Sequence, residues 1–554
     1  MAETRREYIE RRRQAMKNER SSFDPHWREV AEYIQPRMGR FLITDVNKGD
    51  RRFRSIINST GTTAHEVARA GLHAGVMSPA RPWFRLGTVD PDLKESYAVQ
   101  VWLHKVQLLL QTIFAKSNLY SAAPAMFGEL LLFGSGAMFH LDNFDTVARF
   151  RTLTAGQYYL AQNENFEVDT IGLEYTMTVR QMVERFGTTV SKSVMNAYDR
   201  GQYDDRFDVM HFVEPNSRYE ADNPISSRLA FASTYAELGN EKRGAILEEK
   251  GFHEFPCHAL RWEVTGEDVY ATNCPGMAAL GDVKGLQIAE RRLAQGIDKQ
   301  VNPPLKGPSS LKGESISSLP GGVTLYDGDP AREQLQPLYT VAPQTQELVR
   351  NIERMEIRVR RTFKEDLFRS IASLEGVQPQ NQMFLSQLSQ EKLLELGPVL
   401  EQLQGAFLGK LIDRAFNQAA RAKILPEPPP ELQGQPLEVE YLSTLLLAQR
   451  SVITSSIDRL FTFAAGLAQA GYPQAVDKLD ADQAIDEYSR AIGAPPTLVV
   501  PDAQVQQLRE QRAQQQQQAQ AMQMMQQGAS AAKSLADAKM GEPNALTALT
   551  GGGA

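Results

Sequence analysis

The sequence has few of the features that mark secreted or membrane-spanning proteins. Only two cysteines, Cys257 and Cys274, occur among 554 residues. A disulfide framework is therefore excluded, and a reducing compartment fits the chain. The most apolar stretch, residues 130–139, is much shorter than the roughly 18 residues of a membrane span. The first 20 residues are charged throughout and lack an apolar core, so they are not a secretory signal.

An excess of positive charge is also absent. The chain has 60 Lys and Arg against 67 Asp and Glu, a formal net charge of −7. Proteins that grip nucleic acid through phosphate contacts are usually basic or carry a dense basic patch. The balance therefore does not point to tight binding of DNA. Hydrophobic residues make up 42% and charged residues 23%, which is ordinary globular composition with enough apolar material for a sizeable core.

Two glycine-containing segments imitate nucleotide-binding loops but lack their defining residues. Gly134 and Gly136 begin like a dinucleotide fingerprint, but Phe139 occupies the third glycine position. Residues 405–411 are one spacer short of a phosphate-binding loop, and Leu411 replaces the Ser or Thr that would hold magnesium. This second segment lies on an apolar stripe at helical spacing, so we interpret it as core. No nucleotide cofactor and no ATP-driven activity are predicted.

One cluster combines metal-ligand residue types: His253, Glu254, Cys257 and His258. Its spacing differs from that of His-Glu-x-x-His, and Pro256 disfavours the helix that would align both histidines. We interpret these residues as ordinary parts of a strand or loop. The eight histidines are scattered, and none accompanies a plausible nucleophile. The sequence therefore predicts no catalytic residue, no metal site and no enzyme.

The first half of the chain reads as α+β. Helices are predicted at 1–35, 60–77 and 95–117, the second opened by Thr62 or Thr63 and stopped by Pro79. From about 136 to 262, short segments rich in Phe, Val, Thr and Tyr, such as 147–153 and 174–179, indicate strands. A helical insert is predicted at 179–199.

The second half is mostly helical. Two helices of similar length, 277–301 and 344–369, flank a module rich in Gly, Pro and Ser, and each would span about 37–39 Å at ~1.5 Å per residue. A third long helix is predicted at 384–422, kinked or split by Pro398. A helical block covers 442–492, interrupted around Gly471 and Pro473. Residues 503–527 contain 13 Gln among 25, a composition compatible with a helix or with disorder.

An ordered set of short motifs covers roughly residues 5–500. It comprises Phe23-Asp-Pro-His-Trp27; Tyr33-Ile-Gln-Pro36 with Gly39 and Phe41; Ala70-Gly71-Leu72; residues 78–86 (SPARPWFRL); Phe133-Gly-Ser-Gly-Ala137; Arg261-Trp262 with Gly266, Glu267 and Tyr270; Asn302-Pro-Pro304; Ala448-Gln-Arg450; and Gly493-Ala-Pro495. With these motifs the sequence resembles the portal, or head-to-tail connector, family of short-tailed bacteriophages. Each motif alone reads as core or turn, so the resemblance implies no catalytic residue.

The resemblance implies a portal-type subunit of α+β, mostly helical class, with a wing, two stem helices, a clip, a channel loop, a helical crown and a possible C-terminal barrel. On this sequence we map the wing to 1–275, the stem helices to 276–302 and 344–369, the clip to 303–343, the channel loop to 370–386, a long wing helix and connection to 387–440, the crown to 441–500, the Gln-rich helix or barrel to 501–540, and a flexible tail to 541–554.

The resemblance also implies function and partners. Subunits would form a ring, commonly of twelve, at one capsid vertex of the virion, after assembly in the host cytoplasm. Double-stranded DNA would pass through the ring without sequence recognition during packaging and ejection. The terminase large subunit would dock at the clip, where tail adaptor and tail proteins later bind. Scaffolding, major capsid and internal virion proteins would contact the outside and the crown. No cofactor and no membrane are implied.

Two sets of residues are candidates for these roles. The DNA-channel candidates are Arg358, Arg361, Lys364, Arg369, Gln378, Gln380, Asn381 and Gln382, and the candidates for docking the motor or adaptor are Lys306, Lys312, Glu314, Asp327 and Asp329. Uncharged amides can hydrogen-bond phosphates weakly and without reading the bases, which suits a surface that DNA slides past. The mixed charge of 344–369 is equally typical of a solvated helix face.

Two alternatives stay open at this point. A helical scaffold or assembly protein that never touches DNA would show sustained heptads, whereas the stripes here follow mixed spacing and stop at Pro or Gly. A nuclease or ATPase of the packaging apparatus would need an acidic metal cluster or a phosphate-binding loop, and the second is missing. Particle shape separates the three: rings, rods or compact particles.

Overall fold

The computed structural model describes residues 3–43, 54–90, 93, 96–221, 223, 225–238, 246–301, 303, 305–306, 336–337, 345–372, 397–432, 437–441, 444–492, 498–500 and 502–536. Its α-helices are α1 Arg5–Arg20, α2 Asp24–Ile34, α3 Thr60–Met77, α4 Tyr97–Lys116, α5 Leu119–Phe133, α6 Val179–Phe186, α7 Lys192–Asp199, α8 Pro275–Val301, α9 Thr345–Thr362, α10 Glu365–Ala372, α11 Gly397–Leu403, α12 Lys410–Arg421, α13 Thr444–Gln469, α14 Ala481–Ile492 and α15 Asp502–Ala536.

The strands are β1 Phe84–Thr88, β2 Ser135–Asn143, β3 Val147–Leu153, β4 Tyr158–Gln162, β5 Val168–Thr178, β6 Arg206–Pro215, β7 Phe231–Leu238, β8 Ile246–Phe252, β9 Cys257–Arg261, β10 Leu305–Lys306, β11 Gln336–Pro337 and β12 Leu437–Tyr441. They form an antiparallel sheet of order β4-β5-β6-β7-β8, a second of order β3-β2-β9, and two-stranded ladders β1-β12 and β10-β11. The mixed, largely helical composition agrees with the predicted fold class.

One apolar core joins the N-terminal helices, the three-stranded sheet and the helices of the second half. Trp27 meets Phe133 edge-on with ring centroids 6.2 Å apart and meets Tyr270 at 5.4 Å. Trp83 and Phe84 form a second aromatic group and are also buried. Several residues that carry the family resemblance are therefore packing residues, as their aromatic character predicts.

Strand and helix predictions at 147–153, 60–77 and 95–117 are confirmed, with small differences at their ends. The second helix begins at Thr60, and the predicted opening residue Thr62 instead donates its hydroxyl to the Ile34 carbonyl at 2.7 Å. The insert at 179–199 forms two short helices, α6 and α7, separated by a 3₁₀ turn.

The helical prediction for 1–35 is confirmed as two helices, α1 and α2, and Pro25 sits at the start of the second, where its missing N–H is tolerated. The prediction of one helix over 344–369 was wrong. The segment 344–369 divides at Lys364, whose φ is +53°. That turn lays α10 against α3, where Gly71 leaves room for the backbone of Phe368.

The kink or split predicted at Pro398 stays a prediction, because the preceding residues 384–396 of that helix lie outside the described residues. The described part of the helix is irregular further on, where 404–409 form a π-helical segment before α12.

The remaining helical predictions hold where the structure describes them. α8 is continuous although it contains four glycines, Gly276, Gly281, Gly285 and Gly296. The block 442–492 forms α13 and α14, and Gly471 adopts a φ of +101° in the predicted interruption. The Gln-rich segment lies within α15, so of the two predicted states it adopts the helix. Most of the Gly-, Pro- and Ser-rich module between 303 and 343 lies outside the described residues.

Candidate DNA-channel and docking surfaces

Two long helices, α8 and α9, pack side by side and coincide with the segments predicted as stem helices. Leu286 and Ala289 of α8 meet Ile352 and Met355 of α9 in a small buried cluster. Gly285 faces α9 at this seam, and a Cβ added there would come into contact with the Met355 sulfur at 3.4 Å. The apolar stripes that predicted each helix therefore face each other along this seam.

Polar contacts fix the pair to the body of the molecule. Asn58 donates its side-chain amide to Glu290 of α8 at 2.9 Å and to Glu356 of α9 at 2.8 Å. Gln287 is buried and accepts from the backbone N–H groups of Ile57 and Asn58 at 2.6 and 2.8 Å. The segment before α3 thus contacts α8 near its middle and α9 within its last two turns.

Arg358, one of the channel candidates, pairs within its own subunit. Its guanidinium makes a bidentate contact with the Asp282 carboxylate of α8, the shorter distance being 2.6 Å. More than half of the Arg358 side chain remains exposed. The contact stabilises the stem pair, so the solvated-face interpretation describes this residue better than a free channel cation does.

The other basic candidates differ in their surroundings. Arg369 pairs with Glu365 one turn earlier at 2.6 Å, and that carboxylate is buried. Lys364 occupies the turn between α9 and α10, where its N–H donates to the Arg361 carbonyl. Arg361 lies exposed in the last turn of α9, without an ion-pair partner among the described residues. The structure therefore leaves Arg361 as the candidate most available to an external anion.

The remaining candidates are described only in part. Gln378, Gln380, Asn381 and Gln382 lie outside the described residues, as do Lys312, Glu314, Asp327 and Asp329. Lys306 lies on β10, which pairs with β11 so that Lys306 stands opposite Gln336 and Leu305 opposite Pro337. This ladder brings the two ends of the predicted clip together, beyond the ends of α8 and α9.

Three basic residues of α8 were not among the candidates named from the sequence: Arg291, Arg292 and Lys299. All three are exposed on α8, without ion pairs among the described residues. Their positive charge within the predicted helix 277–301 is the sequence feature that could have identified them. The stem also exposes apolar side chains: Ile288, Ile297 and Val301 on α8, and Val349 and Ile357 on α9. Ile297 and Val301 lie in the last two turns of α8 and are not covered by the described part of α9.

The cluster of metal-ligand residue types has a structural role. His258 and Cys257 lie on β9, and the ring of His258 is 3.2 Å from that of His140 on β2. Burial lowers the pKa of His258 to about 3, so its imidazole is neutral at physiological pH. Arg414 of α12 donates to the carbonyls of His140 and Glu254, both at 3.0 Å. These contacts join the helix to the three-stranded sheet.

The described residues contain no group of three or more His, Cys, Asp and Glu side chains arranged to hold a metal ion. Likewise, within the ranges given above, no helix is both long and apolar enough to cross a membrane.

Comparison with known proteins identifies relatives over the whole chain. A family profile described as bacteriophage head to tail connecting protein matches residues 6–500. The portal protein of Salmonella phage epsilon15 is 43% identical over 550 residues, which cover 99% of this chain and 98% of that protein. The probable portal protein of Bordetella phage BPP-1 is 40% identical over 553 residues, 99% of each chain.

Among solved structures, a chain from the neck of an empty gene transfer agent (GTA) particle, computed with C6 symmetry, matches with a TM-score of 0.36 and 12% identity, over 83% of this chain and 96% of that one. A likeness this distant does not bear on the assignment, which rests on the profile and the two phage proteins. Because the profile spans most of the sequence and both relatives span nearly all of it, the chain belongs to the bacteriophage head to tail connecting protein family, the family of phage portal proteins.

Proposed function

We propose that copies of this chain close into a ring of twelve subunits, by analogy with the family's usual arrangement, at one vertex of the capsid. The supporting observation is that α8 and α9 pack against each other and still leave apolar side chains exposed. These are Ile288, Ile297 and Val301 on α8, and Val349 and Ile357 on α9. Apolar groups on a helix surface favour burial against another protein surface. A head-to-tail contact with a closing rotation generates a ring.

In this proposal double-stranded DNA passes along the ring axis during packaging and ejection. Exposed Arg361, together with Arg291, Arg292 and Lys299, supplies cations on the stem. Arg358 and Arg369 are engaged with carboxylates of their own subunit, so their contribution to the axis is smaller. The segment 370–386, with its four amide residues, remains the proposed channel loop.

The proposed docking surface for the terminase large subunit is the clip, 303–343. The β10-β11 ladder supports it, because both ends of the segment leave the stem at one place. Lys306, Lys312, Glu314, Asp327 and Asp329 are the proposed contacts, first for the motor and later for tail adaptor and tail proteins.

The other proposed partners are scaffolding, major capsid and internal virion proteins, on the outer surface and the crown at 441–500. Assembly takes place in the host cytoplasm, and the finished subunit is part of the virion. Copies of α15, exposed along 504–530, would lie side by side as a C-terminal barrel. In this proposal the wing is 1–275, the stem helices are 276–302 and 344–369, and a long wing helix and connection cover 387–440. The C-terminal barrel is 501–540 and the flexible tail is 541–554.

Negative-stain imaging tests the ring. The purified chain should form rings with a central hole, and Ile297→Asp with Val301→Asp should prevent them because two carboxylates would enter an apolar contact. Phe144→Asp is the matched control, since Phe144 is fully exposed at the β2-β3 turn. Rods from the unmodified chain would favour the scaffold alternative, and compact particles would favour a nuclease or ATPase.

A further inference from the structure

Strand β9 ends the three-stranded sheet with one edge that no described strand covers. Its backbone pairs with β2, where the Trp262 N–H donates to the Gly134 carbonyl at 2.7 Å and the His140 N–H to the Pro256 carbonyl at 2.8 Å. Hydrogen-bonded pairs alternate along an antiparallel ladder. The even-numbered residues of β9 therefore turn their peptide groups toward β2, and Cys257, Ala259 and Arg261 turn theirs away.

These outward peptide groups have no hydrogen-bond partner in the part of the chain that the structure describes. Cys257 is buried, and Ala259 and Arg261 are half-buried. Buried peptide groups are nearly always paired, because leaving one unpaired costs about as much as a lost hydrogen bond. The opposite edge of the same sheet shows the usual solution, since Asn118 caps the outward N–H and carbonyl of Phe150 at 2.8 and 2.7 Å.

A cleft of about 620 Å³ runs beside this open edge. Its other walls come from the start of β5, the π-helical segment 404–409 and α12. Val168, Phe231, Phe255 and Ala406 contribute apolar surface. The volume lies within the range of sites that enclose small ligands or short peptide stretches.

The charges around the cleft are not balanced. Its three cations are all engaged: Lys410 pairs with Glu167 at 3.4 Å, Arg414 with Glu254 at 3.8 Å, and Arg261 donates to Gln162 and to two backbone carbonyls.

Two further carboxylates of the cleft, Asp169 and Asp413, have no ion-pair partner among the described residues. Partial burial raises the pKa of Asp169, and burial together with the charge of Glu254 raises the pKa of Asp413. Both carboxylates would be stabilised by a cation that enters the cleft.

We propose that the β9 edge is a docking site for an extended peptide segment of a partner protein, which adds a strand beside Cys257, Ala259 and Arg261 and places a lysine or arginine near Asp169 and Asp413. Main-chain hydrogen bonds provide affinity in this mode, and pockets for alternate side chains provide specificity. Three outward residues on β9 span about 13 Å at ~3.3 Å per residue, enough to pair with a segment of about five residues. The site lies in the wing and is separate from the clip proposed above.

Fluorescence anisotropy with the full-length purified chain tests the site. The probes are two blocked, labelled peptides of roughly seven residues, one alternating valine with lysine and one alternating valine with glutamate. We expect saturable binding of the lysine peptide and at least about tenfold weaker binding of the glutamate peptide, with protection of 257–261 from hydrogen exchange when the lysine peptide is bound.

Two sets of variants distinguish the contribution of the β9 backbone from the contribution of the two carboxylates. Ala259→Pro removes one outward N–H, which an edge strand tolerates, and should weaken binding at least about tenfold. Ala259→Gly keeps that N–H and should retain binding. Asp169→Asn with Asp413→Asn should weaken the lysine peptide by about tenfold and lower its salt dependence. Glu401→Gln is the control, since Glu401 is exposed on α11 and does not line the cleft.

Three results would overturn the proposal. One is the absence of saturable binding of the lysine peptide up to about 1 mM, a concentration at which even a weak site fills. Another is equal binding by the Ala259→Pro and Ala259→Gly variants. The third is loss of ring assembly in Ala259→Pro alone, which would assign the edge to a second copy of the chain. Failure of the ring proposal itself appears separately, in images of the unmodified chain.

Discussion

Gly71 allows the second half of the chain to pack against the first. It lies on α3, and a Cβ built there would stand 2.3 Å from the Phe368 Cβ and 2.9 Å from the Phe368 Cα of α10. Neither atom can move by a change of rotamer, because both belong to the backbone or are attached to it. Gly71→Ala therefore forces α10 away from α3 by about 1 Å if normal carbon contact of ~3.5 Å is to be restored.

The loss of stability expected for Gly71→Ala follows from the packing around Phe368. Phe368 is buried, and its neighbour Phe363 is fully buried. A radial gap of 0.5–1 Å forfeits about a quarter to a half of each dispersion contact, and overpacked cores typically lose about 1–3 kcal/mol. The higher helix propensity of alanine offsets up to about 1 kcal/mol of this loss. We expect a net loss of about 1–2 kcal/mol, seen as a lower midpoint in thermal unfolding followed by circular dichroism.

The matched control is Gly281→Ala on α8, where an added Cβ meets no atom within 4 Å. The same substitution should there raise the unfolding midpoint through propensity alone. If Gly71→Ala were as stable as the unmodified chain, or stabilised like the control, the close approach of α10 to α3 would be refuted.

Three further predictions concern charge and the C-terminus. Burial raises the pKa of Glu129 to about 7, so the folded state favours the protonated carboxyl, and this contribution to stability is complete below about pH 4.5 and is lost as pH rises to about 7. Glu129→Gln should therefore make the unfolding midpoint depend less on pH between pH 5 and 8. If the midpoints of the variant and the unmodified chain changed with pH in parallel, the burial argument would be contradicted. Arg358→Glu should lower the unfolding midpoint slightly, and the exchanged pair with Asp282→Arg should restore it; no recovery would show that the ion pair does not hold the stem. Truncation after Asp502 removes an exposed helix and should leave particle assembly intact by negative stain, while complete loss of particles would show that α15 is required.

Family membership was accessible from the sequence, although no single motif carries it. Trp27, Trp83 and Phe84 are buried, so they identify the family through the shape of a shared core rather than through a shared reaction. Membership also agrees with the prediction that the chain is a portal component and not an enzyme. The spacing of apolar residues was sufficient to place most helices, because the 3.6-residue period is a local property.

Other features could not be predicted from local patterns. The break at Lys364 requires knowledge that α3 presents Gly71 to α10, a contact between residues nearly three hundred positions apart. The ion pair of Arg358 could not be predicted either, because its partner Asp282 lies on α8, 76 residues earlier in the chain. The position of β9 at the edge of its sheet follows from its pairing with β2 alone, and β2 lies more than a hundred residues earlier in the chain. No local periodicity reveals such a pairing.

The sequence by itself determined the family, the mixed and mostly helical class, and the position of most elements, because these depend on composition, short-range periodicity and residue identity. Only the tertiary structure decided which charged side chains are paired, which apolar side chains stay exposed and which strand edge stays open. Pairing and exposure depend on what distant segments bring within a few ångströms, and a linear pattern records neighbours along the chain rather than neighbours in space.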